Sequence, residues 1–91
     1  MGNDDELAKK IAEISKRMEM LVSDSSVPKN VRGAITEAKG HLDSKNDDAI
    51  VRVSSAIYSI DSISNDINLP PQARTQVWGI LSMLESLKTG S

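Results

Sequence analysis

The chain has 91 residues, no cysteine and a formal net charge of −2, which arises from 11 basic and 13 acidic residues. This length fits one small domain, and the absence of cysteine excludes disulfide bonds and thiolate metal sites. The weakly acidic charge and the 2% aromatic content argue against a nucleic-acid binder, which needs positive charge and stacking groups.

The N-terminal residues indicate a cytoplasmic protein. Asp4, Asp5 and Glu6 make this end acidic, whereas a secretory signal is basic and then apolar. The longest uncharged stretch of note, residues 75–84, is far shorter than the roughly 20 apolar residues that a membrane-spanning helix needs. We therefore expect no association with a membrane.

Apolar residues recur every three or four positions in four segments, which is the spacing of helices with one buried face. The first helix is predicted to end near Val22, Pro28 opens the second, Asn46 or Asp47 caps the third, and Pro70 with Pro71 begins the fourth. The four predicted buried stripes are Leu7, Ile11, Ile14, Met18, Leu21; Val31, Ala34, Ile35, Ala38, Leu42; Ala49, Ile50, Val53, Ala56, Ile57, Ile60, Ile63; and Ala73, Val77, Ile80, Leu84, Leu87.

Two glycines interrupt the second segment. A glycine inside a helix costs up to about 1 kcal/mol relative to alanine, so it usually permits a close helix contact or marks a helix end. We expect Gly33 to allow close approach of a neighbouring helix and Gly40 to mark fraying.

The chain contains an internal duplication. Residues 23–32 align with residues 65–74 at an offset of 42, and the buried stripes on either side align at the same offset without a gap. We therefore predict two copies of one helix–turn–helix unit, here called hairpin one (about residues 4–43) and hairpin two (about residues 46–88).

The repeat length is compatible with two all-α architectures. A period of 42 residues lies within the range of roughly 40–47 that HEAT and armadillo repeats show. Two units are, however, fewer than the three or so that a solenoid needs to close its core. The preferred prediction is an antiparallel up-and-down four-helix bundle.

The two copies differ at four positions that could form a binding surface. The charged or polar residues Lys9, Lys16, Thr36 and Lys39 of hairpin one correspond to Val51, Tyr58, Trp78 and Leu81 of hairpin two. The favoured interpretation is that hairpin two uses these residues to wrap around hairpin one. The alternative is a surface that buries against a protein partner or a second copy, since tryptophan and tyrosine are enriched at such sites.

Two arginines occupy equivalent places at the start of the second helix of each unit. We predict that Arg32 pairs with Asp24 and Arg74 pairs with Asp66, in bidentate ion pairs that fix the two turns. The alternative is that the two arginines bind an anion or a partner.

No catalytic, cofactor-binding or metal-binding residue is predicted. The segment 43–48 departs from a calcium-binding loop because Lys45 replaces a ligand, Asp48 replaces the turn glycine and Ser54 replaces the bidentate glutamate. Asp61 is expected to be structural, Asp66 to bond backbone N–H groups, and His41 to be solvated.

The sequence is most typical of a non-enzymatic protein-interaction or adaptor module, with a protein partner or a second copy and with no small-molecule substrate. The alternative is an accessory nucleic-acid or ribonucleoprotein factor that uses a basic face of helix one, formed by Lys9, Lys10, Lys16 and Arg17.

Residues 64–78 resemble the hallmark stretch of a small uncharacterised archaeal protein family, with the pattern Asn-Asp-x-Asn-x-Pro followed by Ala-Arg-Thr and Trp. Residues 27–32 resemble its first-copy version, and the likeness covers nearly the whole chain. The resemblance implies an all-α, bromodomain-like four-helix bundle in the geometric sense, and it brings no activity, cofactor or catalytic residue.

Overall fold

The structure is a computed structural model that describes residues 2–44 and 48–88, with side chains from residue 6 onward in the first helix. Four helices follow in chain order: α1 (Gly2–Val22), α2 (Lys29–Asp43), α3 (Ala49–Asp61) and α4 (Pro71–Lys88). Within these two ranges there is no strand. The predicted all-α class is confirmed.

The helices form a closed bundle in which each one packs against its neighbours in the chain and α1 meets α4. In the described ranges, no Cα atom of α1 lies within 8 Å of α3, and none of α2 lies within 8 Å of α4. A stacked repeat array would bring α1 against α3. The adjacency is therefore that of the preferred up-and-down bundle.

The core shows the duplication residue by residue. Nine buried apolar positions of hairpin one each have a buried apolar counterpart 42 residues later. The pairs are Ile11/Val53, Ile14/Ala56, Met18/Ile60, Leu21/Ile63, Val27/Leu69, Val31/Ala73, Ile35/Val77, Ala38/Ile80 and Leu42/Leu84. One helical period thus determines both halves of the interior.

The bundle departs from two-fold symmetry at the seams between the hairpins. Exact symmetry would make the α2–α3 interface and the α4–α1 interface alike. In the structure α2 and α3 pack closely, whereas grooves of about 440 and 310 Å³ run between α1 and α4. Arg52 of α3 donates its Nε–H to the Leu42 carbonyl at the end of α2, at 3.0 Å. The residues equivalent to this pair are Lys10 and Leu84, which make no such bond.

The two predictions about glycines in α2 are wrong. Nothing lies within 4 Å of the position that a Cβ would take at Gly33 or at Gly40, so neither residue permits a close contact. Both residues lie on the solvent side of α2, and the helix continues past Gly40 to Asp43 because Ala38 and Leu42 hold its last turns in the core.

The boundaries of α3 differ slightly from the expectation. Asp48 is the N-cap residue and makes no capping hydrogen bond through its side chain. The predicted caps, Asn46 and Asp47, lie outside the described residues. The helix ends at Asp61, earlier than predicted, and hydrogen-bonded turns follow up to residue 65.

Along the described ranges, none of the four helices has the length and apolar character required to cross a bilayer.

Candidate functional site

The four residues Val51, Tyr58, Trp78 and Leu81, here called the aromatic face, lie on the adjacent helices α3 and α4. The exposed fraction is 47% for Val51, 80% for Tyr58 and 52% for Trp78, whereas Leu81 is half-buried against the core. Helical periodicity places the two residues of α3 two turns apart on one side of that helix, and the two residues of α4 one turn apart.

The favoured interpretation, that these residues wrap around hairpin one, is wrong for the three exposed members. The groove between α4 and α1 is lined on the α4 side by Gln76, Ile80 and Met83. These residues project from a different side of the helix than Trp78. Hairpin one therefore contacts α4 without covering the aromatic face.

Apolar exposure is concentrated on hairpin two. Ile50, next to Val51, is more than half exposed, and Ile57 is half-buried against the core beside Tyr58 in the sequence. In the described part of hairpin one, Met20 is the one large apolar side chain that is classed as exposed. The aromatic face thus belongs to a larger apolar surface that extends along α3.

The corresponding face of hairpin one carries ion pairs, which lie in an open groove of about 820 Å³ between α1 and α2. The Lys39 Nζ lies 3.1 Å from Asp43 Oδ2 and 3.6 Å from Glu19 Oε2. The hydrogen bond to Asp43 raises the pKa of Lys39, with a further contribution from Glu19. The hydroxyl of Ser15 also donates to Asp43, at 3.3 Å.

The loop between α1 and α2 and the loop between α3 and α4 share one pattern of hydrogen bonds. Four bonds recur at the offset of 42, with donor–acceptor distances that agree within 0.1 Å. In three of them a backbone N–H donates to a backbone carbonyl: Asp24 to Leu21 and Asp66 to Ile63, Val27 to Asp24 and Leu69 to Asp66, and Arg32 to Pro28 and Arg74 to Pro70. In the fourth, the backbone N–H groups of Ser26 and Asn68 donate to the carboxylates of Asp24 and Asp66, respectively.

The loop carboxylates are held by short local bonds. The hydroxyl and backbone N–H of Ser26 both donate to Asp24 and lower its pKa. The amide of Asn30 donates to Asp66 Oδ2 at 2.9 Å, and this bond, followed by that from the backbone N–H of Asn68, lowers the pKa of Asp66. Because Asn30 belongs to α2, its bond links the two hairpins.

The predicted ion pairs between the arginines and these carboxylates are wrong. Arg74 Nη2 donates to the backbone carbonyls of Asp66 and Leu69, at 3.1 and 3.5 Å. Among the described residues Arg32 makes no ion pair with Asp24, and the Nε atoms of both arginines are buried without a hydrogen-bond partner. The carboxylates are already used by their own turns, which require less ordering of long side chains.

The remaining polar candidates, Asp61 and His41, make local contacts among the described residues. Asp61 is exposed, and its carbonyl accepts a bond from Ser64 at 3.1 Å. His41 Nε2 lies 3.9 Å from Glu37 on the same helix. In the described part of the chain, no group of three or more histidine, aspartate or glutamate side chains could hold a metal ion.

Residues 1–87 match the model of an uncharacterised protein family, UPF0147. The chain belongs to the UPF0147 family. A UPF0147 protein of Methanothermobacter thermautotrophicus is 44% identical over 75 residues, which is 82% of this chain and 74% of that protein. A UPF0147 protein of Sulfurisphaera tokodaii is 37% identical over 79 residues, which is 87% of this chain and 89% of that protein.

The crystal structure of the unknown-function protein MMP1188 has the same fold. It matches with a TM-score of 0.83 and 44% sequence identity, and the match covers 87% of this chain and 90% of MMP1188. The resemblance to an uncharacterised archaeal family is therefore confirmed, and so is the expected bundle. The role of UPF0147 proteins is not known.

Sequence reasoning missed the polar contacts that join the hairpins of this UPF0147 chain. The contact of Arg52 is not predicted, although its basic side chain lies within a stripe of otherwise apolar and small residues. Asn30 was also missed, because its partner Asp66 is 36 residues away and no local pattern connects the two. For Arg52 the charged side chain in an apolar helix was the available signal, and for Asn30 there was none.

Proposed function

We propose that this UPF0147 protein is a small non-enzymatic protein-interaction module that docks a protein through the aromatic face. The single observation that carries the proposal is the exposure of Val51, Tyr58 and Trp78 at positions where hairpin one has lysine or threonine. Exposed apolar groups gathered on one surface are a common mark of an interaction site. Burial of such side chains stabilises a complex by about 1.5–3 kcal/mol each.

The half-buried residues Ile57 and Leu81 support a docking role. Ile57 and Leu81 pack against the core and so provide a floor that does not need to form on binding. Rigid aromatic side chains above a preformed floor lose little conformational entropy when a partner covers them.

The proposed location is the cytoplasm, which is supported by the absence of cysteine from a chain of this small size.

The proposal is tested by replacing Trp78 or Tyr58 with aspartate in the full chain. Each variant is expected to keep the helical fold and to lose at least about tenfold in affinity for proteins that the wild type captures from cells of its source organism, because a charge would be buried in the interface. The matched control is Thr36→Asp, since Thr36 is exposed and lies 42 residues before Trp78.

The two measurements are capture of protein partners and solution mass by light scattering, with circular dichroism to establish that each variant is folded. Tyr58→Asp guards against a structural effect, because Tyr58 is more exposed than Trp78. If both aspartate variants are folded and keep the wild-type partners and mass, the aromatic face has no docking role.

A further inference from the structure

We infer that the open seam between α1 and α4 is a second docking site, which binds an acidic amphipathic helix of a partner protein. The inference goes beyond the proposed function, because the seam and the aromatic face occupy different sides of α4. It comes from the shape of the seam, from its charge, and from a comparison with the closed seam between α2 and α3.

The seam holds one elongated groove. Its two parts, of about 440 and 310 Å³, adjoin at Glu13, which lines both of them. On the α1 side the lining residues run from Lys10 to Met20, which corresponds to about 15 Å along the helix. About three turns of a docked helix match this length, and a groove between two helices is a common site for an amphipathic helix.

The groove is open because larger residues stand where the closed seam has small ones. Arg17 of α1 lines the groove and is exposed, whereas Ser59, the equivalent residue of α3, is buried. Gln76 of α4 also lines the groove, whereas Ala34, the equivalent residue of α2, packs against the core. All four positions lie inside helices. Because the side chains at a contact determine how closely two helices approach, the sequence itself keeps this seam open.

The groove carries positive charge that the chain leaves unpaired. Lys10, Lys16 and Arg17 line it, together with a single carboxylate, that of Glu13. In the described ranges, none of these three basic side chains takes part in an ion pair. On the α4 side, residues 75–84 carry no charge. The groove is therefore basic in a chain of net charge −2, and the complementary partner is acidic.

The methionines of the groove favour a protein helix over a nucleic acid. Met20 of α1 is 65% exposed, and Met83 of α4 is half-buried against the core. Methionine side chains are flexible and adapt to the apolar stripe of a partner. A helix with such a stripe and with flanking aspartate or glutamate would cover the methionines and meet the basic groups. A phosphate backbone would satisfy the charge alone.

The experiment selects peptides of about 16 residues, long enough to span the groove, from a random phage library against the immobilised full chain. One class of selected peptides is expected to carry aspartate or glutamate beside apolar residues at helical spacing. These peptides should bind the double variant Lys10→Gln with Arg17→Gln at least about tenfold more weakly, because charge-assisted contacts are lost. The matched control, Lys29→Gln with Lys39→Gln, removes the same charge from α2 and should bind as the wild type does.

The variant Trp78→Asp separates the seam from the aromatic face. It should leave the affinity of the acidic peptides unchanged, and circular dichroism establishes that each variant is folded. If Trp78→Asp abolishes their binding, the peptides dock on the aromatic face, so the inference fails and the proposed function stands. If Trp78→Asp keeps every partner captured from cells while the Lys10/Arg17 variant loses them, the proposed function fails and the inference stands.

Three further outcomes overturn the inference. The first is that no acidic peptide is selected, and the second is that the Lys10/Arg17 variant binds the acidic peptides as the wild type does. The third is that a DNA duplex binds the wild type at physiological salt and the same variant loses it. That result would assign the basic groups of the seam to a nucleic acid.

Discussion

Asp24 and Asp66 each close a loop by accepting a hydrogen bond from the backbone N–H two residues further along the chain. This part of the structure follows from local sequence, because aspartate before a proline-initiated helix favours such a turn. The partners of Arg32 and Arg74 could not be predicted in the same way. The partner of each arginine depends on which acceptors remain free once the loop has formed. For Arg74 these are backbone carbonyls.

The glycines of α2 lead to a prediction about stability. Replacing Gly33 with alanine is expected to raise the free energy of unfolding by about 0.5–1 kcal/mol, because alanine restricts the unfolded chain and has higher helix propensity. The added Cβ meets nothing within 4 Å. The measurement is urea denaturation followed by circular dichroism at 222 nm.

Gly79→Ala is the matched control, because Gly79 lies within α4 and an added Cβ there also meets nothing within 4 Å. The two variants should gain similar stability. A loss of stability in Gly33→Ala with a gain in Gly79→Ala would show that the close approach expected from the sequence is real after all.

The helices were predictable from the spacing of their apolar residues, because that spacing specifies which side of each helix faces the core. Whether the two flanking sides of each helix are buried or exposed was not predictable. Periodicity does not tell whether the neighbouring helix lies to the left or to the right, so the sequence left both a wrapping and a surface role open for Tyr58 and Trp78. The tertiary arrangement exposes both residues.

The unequal seams lead to a prediction for two equivalent leucines. Leu42 and Leu84 are both fully buried, but Leu84 lies on the helix that borders the open α1–α4 grooves. We expect Leu42→Ala to reduce the free energy of unfolding by about 3–4 kcal/mol and Leu84→Ala by about 2–3 kcal/mol. The smaller cost reflects easier collapse around the cavity next to a loosely packed seam.

Both variants are measured by urea denaturation. The free energy of unfolding must fall with urea concentration at the same slope as in the wild type, because only then does the change in midpoint report stability alone. The two substitutions remove the same atoms from positions that the repeat makes equivalent, so each serves as the other's control. An equal or larger cost for Leu84→Ala would mean that the α1–α4 seam is as well packed as the α2–α3 seam.

The whole molecule is one core shared by two similar halves. Each hairpin contributes nine of the paired buried positions, and the buried residues of both halves form one cluster. The two halves also differ in side-chain size at three equivalent positions. Alanine in one hairpin corresponds to a larger residue in the other at Ile14/Ala56, Val31/Ala73 and Ala38/Ile80.

This shared core predicts how the separated hairpins behave. Fragments 1–44 and 45–91 are each expected to be largely unfolded, because the paired core residues would be exposed to water at a cost of about 1.5–3 kcal/mol each. An equimolar mixture should recover the helical circular dichroism signal, with a melting temperature that rises with concentration.

Either fragment alone at the same total concentration is the control. It should recover less, because a dimer of one hairpin would place two alanines, or two larger residues, at equivalent core positions where the bundle has one of each. A single hairpin that melts cooperatively as a monomer would show that the duplicated unit is already a domain.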